Sequence, residues 1–194
     1  MIVVYDFDKT LTYKDTLLGF FLSFSKNPLK LFIYFLAMVF AKFKIISNTS
    51  LKKLGVRLYL YGRSKDKVKK VAESYSKRIE TNSVYRQMDF SCDVFVVSAS
   101  FEEYLLPLFP SGVKVVGSKL EYKNGRVCNI MLNCYGKNKK KLLNDRKIVK
   151  IDRLFTDSYS DVDLARMSSE ICVVKNDSVK LCGDLAEFKR YFGR

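Results

Sequence analysis

The stretch that decides the fold is IVVYDFDKTLT, Ile2 to Thr12. Apolar, β-branched residues run from Ile2 to Tyr5, too few for a helix and suited to a buried strand. That strand ends on Asp6 and Asp8, two carboxylates one residue apart. Like charges repel and burial penalises both, so their pairing at a strand end needs a compensating partner.

Working outward, the next seventy residues have a different character. From Lys14 to about Arg86 the pattern is helical, with segments near 15–25, 28–46, 48–61 and 64–83. Asn27-Pro28, Ser47-Asn48 and Gly62-Arg63-Ser64 separate them as caps or breaks. Strand signals return with DVFVVSAS (Asp93–Ser100), followed by a short helix from Phe101. A strand and hairpin come next, turning at Lys123-Asn124-Gly125. A lysine-rich helix near 138–144 precedes RLFTDSYSD (Arg153–Asp161), a helix near 162–168, the strand from Ile171 and a closing helix from Asp184. Strands alternating with helices imply an α/β fold with a doubly wound, mostly parallel sheet. The expected division is a core of residues 1–13 and 87–194 with an inserted α-helical unit at 14–86. Such sheets place ligands beyond the carboxyl ends of their strands, where Asp6, Ser98 and Asp157 all fall.

Composition narrows the chemistry. The 194 residues contain no histidine, which excludes Ser-His triads, Cys-His pairs and imidazole bases. Catalysis is left to carboxylates, lysine, hydroxyls, thiols or a metal held by oxygen. Five cysteines without a C-x-x-C pair fit a reducing compartment, and no secretory signal opens the chain, so a cytoplasmic location is expected. The formal net charge is +15, and Lys14–Tyr85 alone holds fifteen Lys or Arg against four Asp or Glu. An anionic partner or a solvated basic surface both explain this. Nucleic acid does not, because the aromatics are not interleaved with the basic residues and the acids would have no role.

Two carboxylates at a strand end suit a divalent cation, and a carboxylate can also act as a nucleophile. Phosphoryl transfer needs in-line attack, charge neutralisation and a proton for the leaving group. Without histidine the donor must be a second carboxylic acid, for which Asp8 is placed. Read singly, the later residues have plainer meanings: Asp157-Ser158 with Asp161 is also a turn and cap, and Ser98 also a cap.

Taken in order, DFDKTLT, a Ser ending VFVVSAS, CYGKNKKKLL and TDSYSD resemble the four motifs of the haloacid dehalogenase superfamily. The similarity is to its phosphoserine-phosphatase-like branch, with a helical cap between the first two motifs and a Rossmann-like core. This resemblance implies Mg²⁺ and a phosphorylated, anionic substrate. It implies Asp6 as nucleophile and metal ligand, and Asp8 as acid/base that also offers its backbone carbonyl to the metal. Thr10 would support the phosphate loop and Ser98 and Lys139 would bind phosphate. Asp157 would ligate the metal and Asp161 would hold its surroundings. Lys137, Lys140 and Lys141 neighbour Lys139 and compete for the lysine's role. Thr156 departs from the family's usual Gly. Asp15, nine residues after Asp6, would face the substrate.

The most unusual part of the insert is LKLFIYFLAMVFAKF, Leu29–Phe43, apolar on every side from Leu31 to Ala41. Such a helix is buried all round or meets lipid. Eleven residues span about 16 Å, too short to cross a bilayer but able to lie in its interface with Lys26, Lys30, Lys42 and Lys44 at the ends. The insert is similar to that of the C-type phosphatidylglycerophosphate phosphatases, in its Asn-Pro-Leu start, apolar helix, basic patch and Tyr61-Gly62. Two substrate readings stand: a lipid phosphate at the inner face of the membrane, or a soluble phosphoserine-like molecule.

Overall fold

The computed structural model describes all residues from Met1 to Arg194. Seven strands form one sheet in the order β4-β3-β2-β1-β5-β6-β7. They are β1 (Ile2–Tyr5), β2 (Asp93–Phe101), β3 (Lys114–Lys123), β4 (Arg126–Leu132), β5 (Ile151–Thr156), β6 (Ser168–Lys175) and β7 (Ser178–Cys182). The five central strands are parallel, and a hairpin closes each edge. The expected α/β class therefore holds. Strand β7 is an addition: SVKLC is exposed along most of its length, so it lacks the apolar run that marks a buried strand.

β1 sits in the centre because both of its faces are apolar. Val3 and Tyr5 pack on one side and Val4 on the other. The first side is covered by helices α1 (Leu17–Leu22), α2 (Pro28–Lys42), α3 (Asn48–Gly55), α4 (Lys65–Ser76), α5 (Ser83–Arg86) and α6 (Glu102–Leu105). Phe20, Phe21, Tyr34, Tyr59, Phe101 and Tyr104 form its aromatic centre. The second is covered by α7 (Lys137–Asn144), α8 (Val162–Ala165) and α9 (Leu185–Tyr191), through Leu143, Leu164 and Phe188.

Between β1 and β2 the chain forms helices and turns, broken only by isolated bridges at Thr12 and Ser64. Asn27 caps α2 by accepting from the amides of Leu29 and Lys30, and Ser47 caps α3 by accepting from Ser50. α3 runs into a π-helical turn at Val56–Leu60. A Cβ at Gly55 would lie 2.2 Å from the Phe21 ring, so only glycine lets α3 approach α1 this closely. Of the apolar α2, only Tyr34 and Ala37 are buried. The all-round burial that one reading of the sequence required is not found within this chain.

The β3–β4 hairpin turns where expected. Asn124 and Gly125 both adopt positive φ, 51° and 72°, as a two-residue turn of this hand requires.

Candidate active site

Three adjacent strands, β2, β1 and β5, end at one cleft of about 200 Å³. Its walls include Asp6, Asp8, Ser98, Lys139 and Asp157, with Asp15 at the rim. Asp6 follows β1 directly, and its amide continues the sheet by donating to the Phe155 carbonyl. The chain then turns: Thr10 and Leu11 donate to the Phe7 carbonyl, with Lys9 in the left-handed region at φ 61°. This tight turn brings Asp8 back beside Asp6, on the cleft side.

The Lys139 ammonium is buried and donates to Asp6 Oδ1 at 2.7 Å and to Asp161 Oδ2 at 3.0 Å. Burial works against its charge, but Asp161 and Asp6 outweigh burial and hold the amine well above its ordinary range. Lys139 and Leu143, four residues apart, form the buried face of α7. Lys137, Lys140 and Lys141 do not line the cleft, which separates Lys139 from its neighbours.

Asp161 is buried beneath the cleft, where Thr156 Oγ1 also donates to it at 2.8 Å. The Thr156 hydroxyl therefore does something a glycine would not: it fixes the carboxylate that fixes Lys139. Asp157 faces the cleft and accepts no hydrogen bond from the protein. Burial, reinforced by the like charges of Asp6 and Asp161, pushes its carboxyl up to about 7.

Asp8 accepts from the Thr16 amide at 2.8 Å, the Thr16 hydroxyl at 2.6 Å and the Ser100 hydroxyl at 2.5 Å. Thr16 Oγ1 in turn lies 2.9 Å from Tyr104 Oη. Burial, then the nearby Asp15 charge, raise Asp8 to about 7 even against these donors. Ser98 Oγ accepts from the Ser100 amide at 3.0 Å and lines the cleft. Thr10 is the residue the structure keeps apart: it is fully buried behind the turn and lines no part of the cleft. It touches the loop and not the space where a phosphate would lie. Asp15 is exposed, accepting from the Leu17 amide at 3.0 Å.

Thr16, Ser100, Asn48 and Lys52 are functional-site residues that sequence reasoning missed. None carries a motif, and Ser100 and Lys52 acquire their places through contacts between distant parts of the chain.

The donor set fits a small, hard cation. Asp6 and Asp157 offer carboxylates to the same cleft, no sulfur or imidazole competes, and the Asp157 carboxyl has no hydrogen-bond donor from the protein. No group of three or more acidic, thiol or imidazole side chains forms a ready-made cage. A cation here would therefore rely also on backbone oxygen, water or substrate, as Mg²⁺ commonly does.

No curated protein sequence matches the chain. Among solved structures, a protein of unknown function from Bordetella pertussis Tohama I superposes with a TM-score of 0.71 at 16% identity, over 99% of this chain and 95% of that one. A phosphoserine phosphohydrolase-like protein from Francisella tularensis subsp. tularensis SCHU S4 gives 0.62 at 14% identity, over 87% and 84%. A substrate-bound phosphoserine phosphatase gives 0.59 at 16% identity, over 98% and 97%. At these identities the likeness is one of fold. The model of the haloacid dehalogenase-like hydrolases matches residues 3–166, which take in β1 from Val3, the helices between β1 and β2 and every cleft residue named above, and the chain belongs to that family.

Proposed function

We propose that this hydrolase is a Mg²⁺-dependent phosphomonoesterase working through an aspartyl-phosphate, with an anionic lipid phosphate such as phosphatidylglycerophosphate as substrate. The observation that carries the chemistry is the pairing of Asp6, held by Lys139, with a nearby Asp8 whose carboxyl titrates near neutrality.

Lys139 occupies Asp6 Oδ1, leaving Oδ2 for attack on phosphorus. The Asp6–phosphorus bond forms as the ester oxygen departs, and protonated Asp8 gives that oxygen its proton. Water then attacks the phosphoenzyme, Asp8 as carboxylate takes the water's proton, and inorganic phosphate leaves. A group poised near 7 serves both halves of this cycle. Ser98 Oγ and the Lys139 ammonium offset charge on the phosphoryl oxygens. Bound by Asp6, Asp157 and the Asp8 carbonyl, Mg²⁺ would neutralise developing charge on the phosphoryl group. Asp161 keeps Lys139 in place, and Thr10 keeps the turn in place from behind.

The lipid assignment rests on α2. Leu29, Leu31, Phe32, Ile33, Phe35, Leu36 and Phe40 are all exposed, Phe32 by 58%, and Phe43 just beyond by 70%. So broad an apolar surface marks an interaction site. Lys26, Lys42 and Lys44 stand exposed at its two ends, suited to anionic headgroups. No helix of the structure is long and apolar enough to cross a membrane, and the contact proposed is a peripheral one. α2 leads through Ile45 to Asn48, which lines the cleft, so a short segment of chain links the apolar face to the site. The small cleft takes a phosphate and little else, leaving acyl chains outside.

Phosphoserine is the second reading, favoured by Asp15 at the rim, which could meet a substrate ammonium. The test is phosphate release with Mg²⁺, with and without EDTA, from phosphatidylglycerophosphate in micelles and from phosphoserine, with Asp6→Asn as control. Release from the lipid alone supports the first reading, and release from phosphoserine alone replaces it with the second. Failure to cleave either, or any aryl phosphate, overturns the phosphatase assignment.

A further inference from the structure

We infer that Lys52 of α3 is a positioning residue: from the helical insert it sets the separation between two segments at the cleft, the irregular end of β2 that carries Ser98 and the loop leading to Lys139. The inference rests on the phosphatase reading for what those segments do, but its geometry is independent of it.

Lys52 is 1% exposed, one of two lysines buried in the protein. The other, Lys139, has two carboxylates; Lys52 has none. Its ammonium donates to the Ala99 carbonyl at 2.5 Å, to Asn133 Oδ1 at 2.5 Å and to Ser118 Oγ at 3.1 Å. An ammonium has three hydrogens, and all three are committed. Lys52 borders the cleft, but its three hydrogens already have protein acceptors. The Phe101 ring lies 5.7 Å from the nitrogen.

What Lys52 holds explains its cost. Ala99 lies between Ser98, which faces the cleft, and Ser100, which donates to Asp8. Asn133 begins the segment that ends at Lys139: its carbonyl accepts from Asn138 Nδ2 at 3.0 Å, and the Cys134 amide donates to Ser118 Oγ at 3.1 Å. Thr49, one turn before Lys52 on α3, accepts from Asn133 Nδ2 at 2.8 Å. Ser118 donates to the Ala99 carbonyl at 2.6 Å, closing the network. One cation thus joins the end of β2 to the start of the segment before α7, and it reaches both from the insert.

A buried cation without a counter-ion is unfavourable, and a structural role would be met more cheaply by an apolar side chain. Burial draws the amine down to about 8, opposed by Cys134, Asp8 and Asp15 and assisted by Lys139. It still carries its proton at neutral pH.

The test compares Lys52→Met with wild type by hydrogen exchange and by steady-state hydrolysis of p-nitrophenyl phosphate. Amides of 99–101 and 134–139 should exchange about tenfold faster in the variant, with β5 and β6 unchanged. The kcat should fall about ten- to a hundredfold with KM moving less than about threefold, the mark of lost alignment rather than lost binding. Unchanged exchange in both segments overturns the inference, and so does a raised KM at constant kcat, which would make Lys52 a substrate ligand. If Lys52→Met does not fold, Ser118→Ala decides: the same two segments loosen, or the inference falls. Wild type inactive on every phosphomonoester would refute the proposed function, while the exchange rates would still decide whether Lys52 ties the two segments together.

Discussion

Thr16 donates twice to one carboxylate oxygen of Asp8, through its amide at 2.8 Å and its hydroxyl at 2.6 Å. Both bonds favour the carboxylate form, against burial, which favours the acid. Removing the hydroxyl tips Asp8 further towards the acid and loosens its aim. Thr16→Val should lower kcat about tenfold. The base-dependent second half should become slower, giving a burst of p-nitrophenol ahead of phosphate. An unchanged kcat without a burst would remove this contact from the cycle.

Asp8→Asn should go further, since an amide neither gives nor takes the required proton. Turnover of alkyl phosphates is expected to drop by at least about a hundredfold. Phosphoenzyme should persist long enough to detect by mass spectrometry as a phosphate adduct on Asp6. A wild-type rate would end the acid/base assignment.

Lys139 supports two carboxylates, so its loss is structural as well as catalytic. Lys139→Ala leaves Asp161 buried without its cation, and breaking such a pair costs about 3–5 kcal/mol. Urea unfolding should show that loss. A variant as stable as wild type would mean that Asp161 is neutral in the fold.

Lys52 makes stability depend on pH in a set direction. Its folded value is about 8 and its ordinary value 10.5, so between these the unfolded chain binds more protons. Stability therefore rises with pH through that window, by up to about 3 kcal/mol from this group. Comparing wild type with Lys52→Met at pH 7.5, 9 and 10.5 cancels the other groups. The wild type should gain on the variant as pH rises; a constant difference would show that the amine titrates normally.

The exposed face of α2 should be dispensable for folding and needed at a lipid surface. Glu at Phe32, Phe35 and Phe40 together should leave aryl phosphatase activity intact, with each change worth less than about 0.5 kcal/mol. Sedimentation with vesicles rich in phosphatidylglycerol should be lost. Equal binding by wild type and variant, or none by either, would remove the membrane from the proposal.

What the sequence discloses depends on how local the deciding interaction is. The end of β1, the Asn124-Gly125 turn and the alternation of strands and helices are written in neighbouring residues. Lys139 is set apart from Lys137, Lys140 and Lys141 in the sequence only by the family resemblance, whereas the buried face of α7 separates it from them physically. Lys52 lies in a basic stretch that reads as solvated surface, and nothing nearby announces that residues 99, 118 and 133 meet it. Thr16 and Ser100 are similar: 84 positions separate them, yet they hold one carboxylate. For α2 the residues state that it is apolar, but exposure depends on how much surface its neighbours can cover.

The central place of β1 has a consequence for the order in which the molecule comes into being. Tyr5 pairs with Val96 on one side and Phe155 on the other. The cleft is completed by Asp157 and steadied by Asp161. Asp6 is therefore made about 150 residues before Asp157 and Asp161, the carboxylates that join it at the cleft. The helices of the insert close over short sequence distances and have the means to form meanwhile. Until β5 emerges, Asp6 stands beside only one of its two neighbouring strands, and the cleft is still missing one wall.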